Sequence, residues 1–79
     1  MGGTVVEAIG RKSVHVPTYP ASAWRDRDSF QAIDQARGYA RYLSRMYPAT
    51  PYRIIRVRRR AYPFVVRFVP AWKLQEVSA

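Results

Sequence analysis

The spacing of apolar residues predicts two pairs of strands with one helix between them. Residues 4–9 and 13–16 are rich in β-branched side chains, and the basic turn at 10–12 can join them. Residues 52–58 and 64–69 predict a second strand pair by the same pattern. The loop that follows the first pair contains Trp24, which we expect to anchor this loop to the core.

The segment between the strand pairs predicts an α-helix, because its apolar residues recur at spacings of three and four. The members of this stripe are Phe30, Ile33, Ala36, Ala40, Leu43 and Tyr47. Asp28 or Ser29 would cap the N-terminus of the helix, and Pro48 would end it.

The last two predicted strands present different residues on their two faces, because side chains alternate along a strand. We expect the face beneath the helix to contain Ile55, Val57, Phe64, Val66 and Phe68. The opposite face would mix apolar residues with arginine: Ile54, Arg56, Arg58, Val65 and Arg67. The predicted fold is α+β, a single domain of residues 1–79 in the order β-β-α-β-β. One helix packs on an antiparallel sheet, and residues 71–79 form a loosely packed tail.

The composition supports a small packed domain without covalent cross-links. The chain has 79 residues, of which 48% are hydrophobic and none is cysteine, so we expect a core and exclude disulfides. A single core of this size supplies roughly 3–5 kcal/mol of stability. The apolar runs are too short to cross a membrane, and the absence of cysteine fits the cytoplasm.

Positive charge is concentrated in the second half of the chain. Fourteen basic residues against five acidic ones give a net charge of +9, and residues 35–75 include ten basic residues and no acidic one. Such a field attracts polyanions or an acidic protein surface. Three candidate binding residues follow one edge of the helix at a spacing of four and are called the helix ridge: Arg37, Arg41 and Arg45. The last strand pair adds Arg56, Arg58, Arg59, Arg60 and Arg67.

The sequence lacks the residue sets of common catalytic and cofactor sites. His15 is the single histidine, so no second histidine can complete a nuclease pair or a metal site. Asp26 and Asp28 fall at the predicted helix start, where carboxylates are expected, and would lack a third metal ligand. The four glycines are scattered rather than gathered in a phosphate-binding loop. We therefore expect a binding protein rather than an enzyme, with no cofactor and no metal.

Residues 60–67, RAYPFVVR, partly match the RNP1 pattern of RNA-recognition motifs. They depart from it at Ala61, Pro63 and Arg67. The aromatic residues of that motif face outward to stack on bases, whereas Phe64 and Phe68 are needed here for the core. We therefore reject the motif, but binding of DNA or RNA phosphates by the arginines stays open.

The stretch QARGYARYLSRMYPATPYRIIRVRRRAYPFVVRFVP resembles, in general character, small phage-encoded accessory proteins of the anti-CRISPR type. The resemblance covers residues 29–70 and rests on a compact domain with a helix followed by a hairpin, without a diagnostic motif. It implies a stoichiometric inhibitor that docks on a CRISPR effector complex in the cytoplasm of a bacterial host. Such an inhibitor blocks target-DNA binding or nuclease recruitment. A basic member would cover an acidic protein surface or hold the nucleic acid itself.

Apolar residues on the arginine-bearing face favour one of these partners. Ile54, Val65 and Val69 among arginines are more typical of a protein interface than of a phosphate-binding surface. We therefore expect an inhibitor of the anti-CRISPR type first and a direct DNA- or RNA-binding protein second. An assembly protein, or a homodimer formed through a sheet face or edge, also stays open.

Overall fold

A computed structural model describes residues 4–9, 19–58, 60–70 and 72, which form one α-helix, a short 3-10 helix (Ala21–Ala23) and a four-stranded antiparallel sheet. The strands are β1 (Thr4–Ile9), β2 (Arg25–Phe30), β3 (Tyr52–Arg56) and β4 (Phe64–Phe68), and the helix is α1 (Ile33–Met46). The predicted α+β class is confirmed.

The β3–β4 hairpin forms the centre of the sheet, and an N-terminal strand flanks it on each side in the order β1-β3-β4-β2. All three pairings are antiparallel. The predicted strand at 13–16 lies outside the described residues. Each outer strand contains a β-bulge, in which Val6 and Arg27 are the extra residues.

Strand β2 lies where the sequence predicts a loop and the start of the helix. Four charged residues open this strand, RDRD, so it lacks the apolar alternation that marks a strand with one buried face. At the edge of a sheet such charges are favourable, because they discourage pairing with other chains. The ring of Phe30 lies 5.3 Å from that of Tyr39 in α1. Phe30 is the last residue of β2, so the prediction that it belongs to the helix is wrong.

Helix α1 begins at Ile33, and its N-cap is Ala32 rather than Asp28 or Ser29. The predicted cap is therefore wrong. Gln35 supplies a side-chain hydrogen bond at the helix N-terminus: its Oε1 accepts a hydrogen bond of 3.3 Å from the Ala32 backbone N–H. This is half of the reciprocal arrangement known as a capping box.

The buried stripe of α1 is shorter than predicted. Its buried residues are Ala36, Ala40 and Leu43. Met46 and Tyr47 are 55% and 53% exposed, although Tyr47 was predicted to continue the stripe. The stripe therefore stops one turn before the helix ends.

Strand β3 faces the helix with the opposite set of residues from the predicted one. Ile54 pairs with Val66, and both are fully buried in the cluster beneath α1. Ile55 pairs with Val65, and residues directly across from one another share a face of the sheet. Alternation therefore places Ile55 and Val65 on the face away from α1, and the assignment of Ile55 to the helix side is wrong.

The prediction for β4 is confirmed. Phe64 and Phe68 are partly buried and pack on the same cluster as Val66, beneath the helix. The three residues alternate along the strand, as a single buried face requires.

A second apolar cluster contains Ala23, Trp24 and Val69, with Tyr19 packed against it. The rings of Tyr19 and Trp24 meet edge to face, with centres 6.0 Å apart. Trp24 is only 9% exposed, so the prediction that it anchors its loop is confirmed.

The expected mixture of exposed apolar residues and arginine on one sheet face is wrong. Ile54, Val65 and Val69 are 0%, 1% and 0% exposed. None of the three can contact a partner while the domain is folded. The reason for preferring a protein interface at this surface is therefore removed.

Gly38 lies within α1 where an added methyl group would meet no atom of the described residues within 4 Å. We expect Gly38→Ala to raise the free energy of unfolding by about 1 kcal/mol, because alanine loses less backbone entropy in a helix. Urea denaturation followed by circular dichroism measures this change. A lower stability would contradict the open surroundings of Gly38.

Candidate functional site

The connection between β3 and β4, residues 57–63, is an exposed loop rich in arginine, called here the arginine loop. A hydrogen bond of 2.8 Å from the Val57 backbone N–H to the Pro63 carbonyl closes it. Arg58, Arg60 and Tyr62 are exposed, and Tyr62 has 54% of its surface accessible. Arg59 lies outside the described residues.

No described acidic side chain neutralises this end of the hairpin. Arg56, Arg58 and Arg60 form no ion pair within the part of the chain that the structure describes. The guanidinium carbon of Arg56 lies 6.0 Å from the centre of the Phe64 ring, and Arg56 is itself exposed. The three side chains can therefore donate hydrogen bonds to a phosphate or another anion.

The helix ridge is partly neutralised by Glu7 of β1. Arg37 Nε donates a hydrogen bond of 2.6 Å to Glu7 Oε1, and Arg37 Nη1 lies 3.4 Å from Asp34 Oδ1. Arg41 Nη2 lies 4.0 Å from the other Glu7 oxygen. The hydrogen bond and charge of Glu7 raise the pKa of Arg37 further above neutrality. Arg45 is exposed, and no described carboxylate pairs with it.

Arg67 lies on the face of the sheet away from α1, as the cross-strand neighbour of Arg53. Its Nε donates a hydrogen bond of 2.7 Å to Asp26 Oδ1. Among the described site residues predicted from the sequence, Arg67 therefore lies on the opposite face of the sheet from the helix ridge.

Arg53 is a half-buried arginine that is not among the site residues predicted from the sequence. Its guanidinium carbon lies 4.1 Å from the centre of the Trp24 ring, and its Nε is buried without a hydrogen-bond partner among the described residues. Burial lowers the pKa of Arg53, and the charge of Arg67 lowers it further. The sequence contains a signal for this position: Arg53 lies two residues before Ile55, so the two side chains lie on the same face of the strand.

A second exposed surface lies on the outer side of α1. Tyr42, Arg45 and Met46 are spaced by three and four, so they share one side of the helix. Tyr42 and Met46 are 57% and 55% exposed. Exposed aromatic, methionine and arginine side chains together are typical of protein interfaces.

The Tyr52 hydroxyl makes the stability of the fold sensitive to alkaline pH. Burial raises its pKa above the ordinary value, although a hydrogen bond with Thr50 and the charge of Arg27 act the other way. The folded state therefore holds this proton more tightly than the unfolded chain. The contribution of this tighter proton binding to the free energy of unfolding is fully present below about pH 10, and it is lost as the pH rises through the raised pKa.

We expect Tyr52→Phe to reduce this alkaline loss of stability. The drop in Tm between about pH 9 and pH 11 should be smaller in the variant than in the wild type, because phenylalanine has no proton to release. Equal drops in the two proteins would contradict the assignment to Tyr52.

Comparisons with known proteins add no assignment: no family model matches the chain, and neither a curated protein nor a solved structure is detectably similar to it. Among the described residues, no helix is long and apolar enough to span a membrane. The same residues contain no group of three histidine, cysteine, aspartate or glutamate side chains placed to share a metal ion.

Proposed function

We propose that this protein is a non-enzymatic nucleic-acid-binding protein that contacts phosphate groups through the arginine loop and Arg56. The observation that carries the proposal is a set of exposed arginines at one end of the hairpin, Arg56, Arg58 and Arg60, without a described carboxylate partner. Tyr62 in the same loop adds an exposed ring on which a base can stack.

Arginine suits phosphate because its planar guanidinium group can donate two parallel hydrogen bonds to the oxygens. Each neutralised phosphate also releases condensed counterions, which favours binding at low salt. A two-stranded ribbon with basic side chains can enter the major groove of DNA, and the arginine loop is the turn of such a ribbon.

The burial of Ile54, Val65 and Val69 supports phosphate over protein as the partner of this loop. Protein interfaces draw most of their energy from a few well-packed anchors, chiefly aromatic residues and arginine. The exposed described residues of the loop are Arg58, Arg60, Ala61 and Tyr62. Such a surface is mainly cationic, and Tyr62 is its one large ring.

Fluorescence anisotropy with labelled single- and double-stranded oligonucleotides tests the proposal on the purified, nuclease-treated protein. For duplex DNA, we expect the logarithm of the association constant to fall linearly with the logarithm of salt concentration. Three contacts, by Arg56, Arg58 and Arg60, predict a slope of about −2.7, at −0.9 per phosphate. Comparison of the two strand forms identifies the preferred nucleic acid. Absence of binding to either form at low salt would overturn the proposal.

The outer side of α1 supports a second candidate, a phage-type inhibitor of the anti-CRISPR kind. Tyr42 and Met46 beside Arg45 offer aromatic and flexible apolar anchors next to a positive charge. This surface would cover an acidic patch of a CRISPR effector complex in the cytoplasm of a bacterial host. The contact would block DNA binding or nuclease recruitment.

Co-purification with isolated CRISPR effector complexes at moderate salt tests this second candidate. Tyr42→Asp/Met46→Asp should abolish a contact made by the outer side of α1. Arg58→Glu/Arg60→Glu should leave that contact unchanged. Capture that depends on Arg58 and Arg60 instead would show that the arginine loop makes the contact.

A further inference from the structure

A cavity of about 210 Å³ lies between the C-terminal end of α1 and the sheet. Leu43 lines it from the helix, and Tyr52 and Phe68 line it from the paired ends of β3 and β4. The arginine loop lies at the other end of this strand pair, beyond Arg56 and Phe64. The cavity is therefore separate from the proposed nucleic-acid surface, and the inference drawn from it does not rest on that proposal.

The cavity exists because the buried stripe of α1 stops too early to fill it. Leu43 is the last buried residue of the helix. One turn later, Tyr47 lines the cavity but keeps 53% of its surface exposed, so its ring does not close the space. The cavity is partly open to solvent, and its walls combine apolar residues (Leu43, Phe68, Val69 and Pro70) with polar ones.

A β-bulge directs an arginine to this cavity. The pairing of β2 with β4 skips Arg27, which stands as the extra residue between Asp26 and Asp28. Bulges re-aim side chains in this way and are frequent next to active sites. Arg27 Nε donates a hydrogen bond of 3.2 Å to the Tyr39 hydroxyl of α1, which holds the side chain on the helix side of the sheet. Among the described residues, Arg27 forms no ion pair.

Hydroxyl groups add a second polar element to the lining. Thr50 and Tyr52 both line the cavity. A tyrosine hydroxyl is protonated at neutral pH, and burial raises the pKa of Tyr52 above its ordinary value. Arg27 and Tyr52 line the same cavity, so a ligand there can meet both the guanidinium and the hydroxyl group. The lining of the cavity thus combines apolar residues with one cation, Arg27, and three hydroxyl-bearing residues, Tyr47, Thr50 and Tyr52.

We propose that this cavity binds a small aromatic carboxylate. Its ring would lie among Leu43, Tyr52 and Phe68, and its carboxylate would pair with the guanidinium of Arg27. A cavity of about 150 Å³ is known to hold benzene, and drug-sized ligands need at least about 300 Å³. The volume here therefore suits one ring with a short acidic substituent.

Nuclear magnetic resonance titration of the ¹⁵N-labelled full chain tests the proposal, with benzoate as the probe and neutral benzamide as its isostere. We expect benzoate to cause saturable shifts at the backbone amides of Leu43, Tyr47, Thr50, Tyr52 and Phe68. The Kd should be about 1–10 mM, as for other ligands of this size. Benzamide should bind at least about fivefold more weakly, because it cannot pair with Arg27 as an ion.

Two substitutions in β2 distinguish a specific contact between benzoate and Arg27 from a general attraction of benzoate to a basic protein. Arg27→Gln should weaken benzoate binding to the level of benzamide. Arg25→Gln removes the same charge from a residue outside the cavity lining and should leave the Kd unchanged. The proposal is overturned if no saturable shifts reach the cavity residues, if the shifts map to the arginine loop, or if both variants behave alike.

Discussion

Replacing Arg58 and Arg60 with glutamate is expected to weaken binding to duplex DNA about 100-fold near 0.1 M salt. The variant loses two phosphate contacts and puts two negative charges at the exposed end of the hairpin. The slope of log association constant against log salt should become shallower by about 2, at −0.9 per lost contact. Anisotropy titrations of the wild type and the variant across a salt series measure both effects.

Arg25→Glu/Arg27→Glu is the matched control for this experiment. Both arginines are exposed on β2, outside the arginine loop. Each double variant has a net charge of +5, since two reversals subtract four from +9. Near-wild-type binding by the control would assign the effect to the arginine loop. Equal weakening of both variants would instead show that binding follows net charge alone.

Ile54→Ala is expected to destabilise the protein by about 2–5 kcal/mol, which approaches the whole stability of a domain this small. Ile54 is fully buried beneath α1, so the substitution leaves a cavity in the main core. Val57→Ala removes two methyl groups from a partly exposed residue and should lower the free energy of unfolding by about 1 kcal/mol or less. Urea denaturation followed by circular dichroism measures both free energies of unfolding.

The comparison of these two variants tests the register of β3. The structure places Ile54 on the helix side, whereas the sequence pattern favours Ile55 and Val57 there. A larger loss of stability from Val57→Ala than from Ile54→Ala would support the sequence pattern and contradict the observed register.

The alternation rule failed in β3 because two isoleucines are adjacent there. Ile54 and Ile55 are both buried, one on each face of the sheet. A strand buried on both faces reads as a continuous apolar run, so its pattern does not reveal which residue lies beneath the helix. In β4, Phe64 and Phe68 lie on the helix side, and the side predicted for them is confirmed.

Strand β2 could not be predicted because its stability comes from pairing with β4 rather than from its own residues. Only Phe30 of this strand packs on the main core, and the preceding RDRD sequence has the composition of a turn or helix start. Helix α1 was easier to predict, since the spacing of Ala36, Ala40 and Leu43 is a local signal.

The sequence predicts which arginines could form the candidate site, but it does not predict which of them pair with a carboxylate in the folded protein. The carboxylates that neutralise two of them are distant along the chain: Glu7 is 30 residues from Arg37, and Asp26 is 41 residues from Arg67. A local count of charge cannot show such pairs. The local count of charge does identify the basic cluster at 56–60. This prediction holds for Arg56, Arg58 and Arg60 because no described acidic residue forms an ion pair with them.

The most direct test of the central proposal is a nuclear magnetic resonance titration of the ¹⁵N-labelled protein with a short DNA duplex at low salt. We predict that the largest backbone shifts fall on Arg56 and on the amides of residues 57–62, and that added salt reverses them. Shifts confined to Tyr42, Arg45 and Met46 on the outer side of α1, or no saturable shifts, would contradict the proposal that the arginine loop binds nucleic acid.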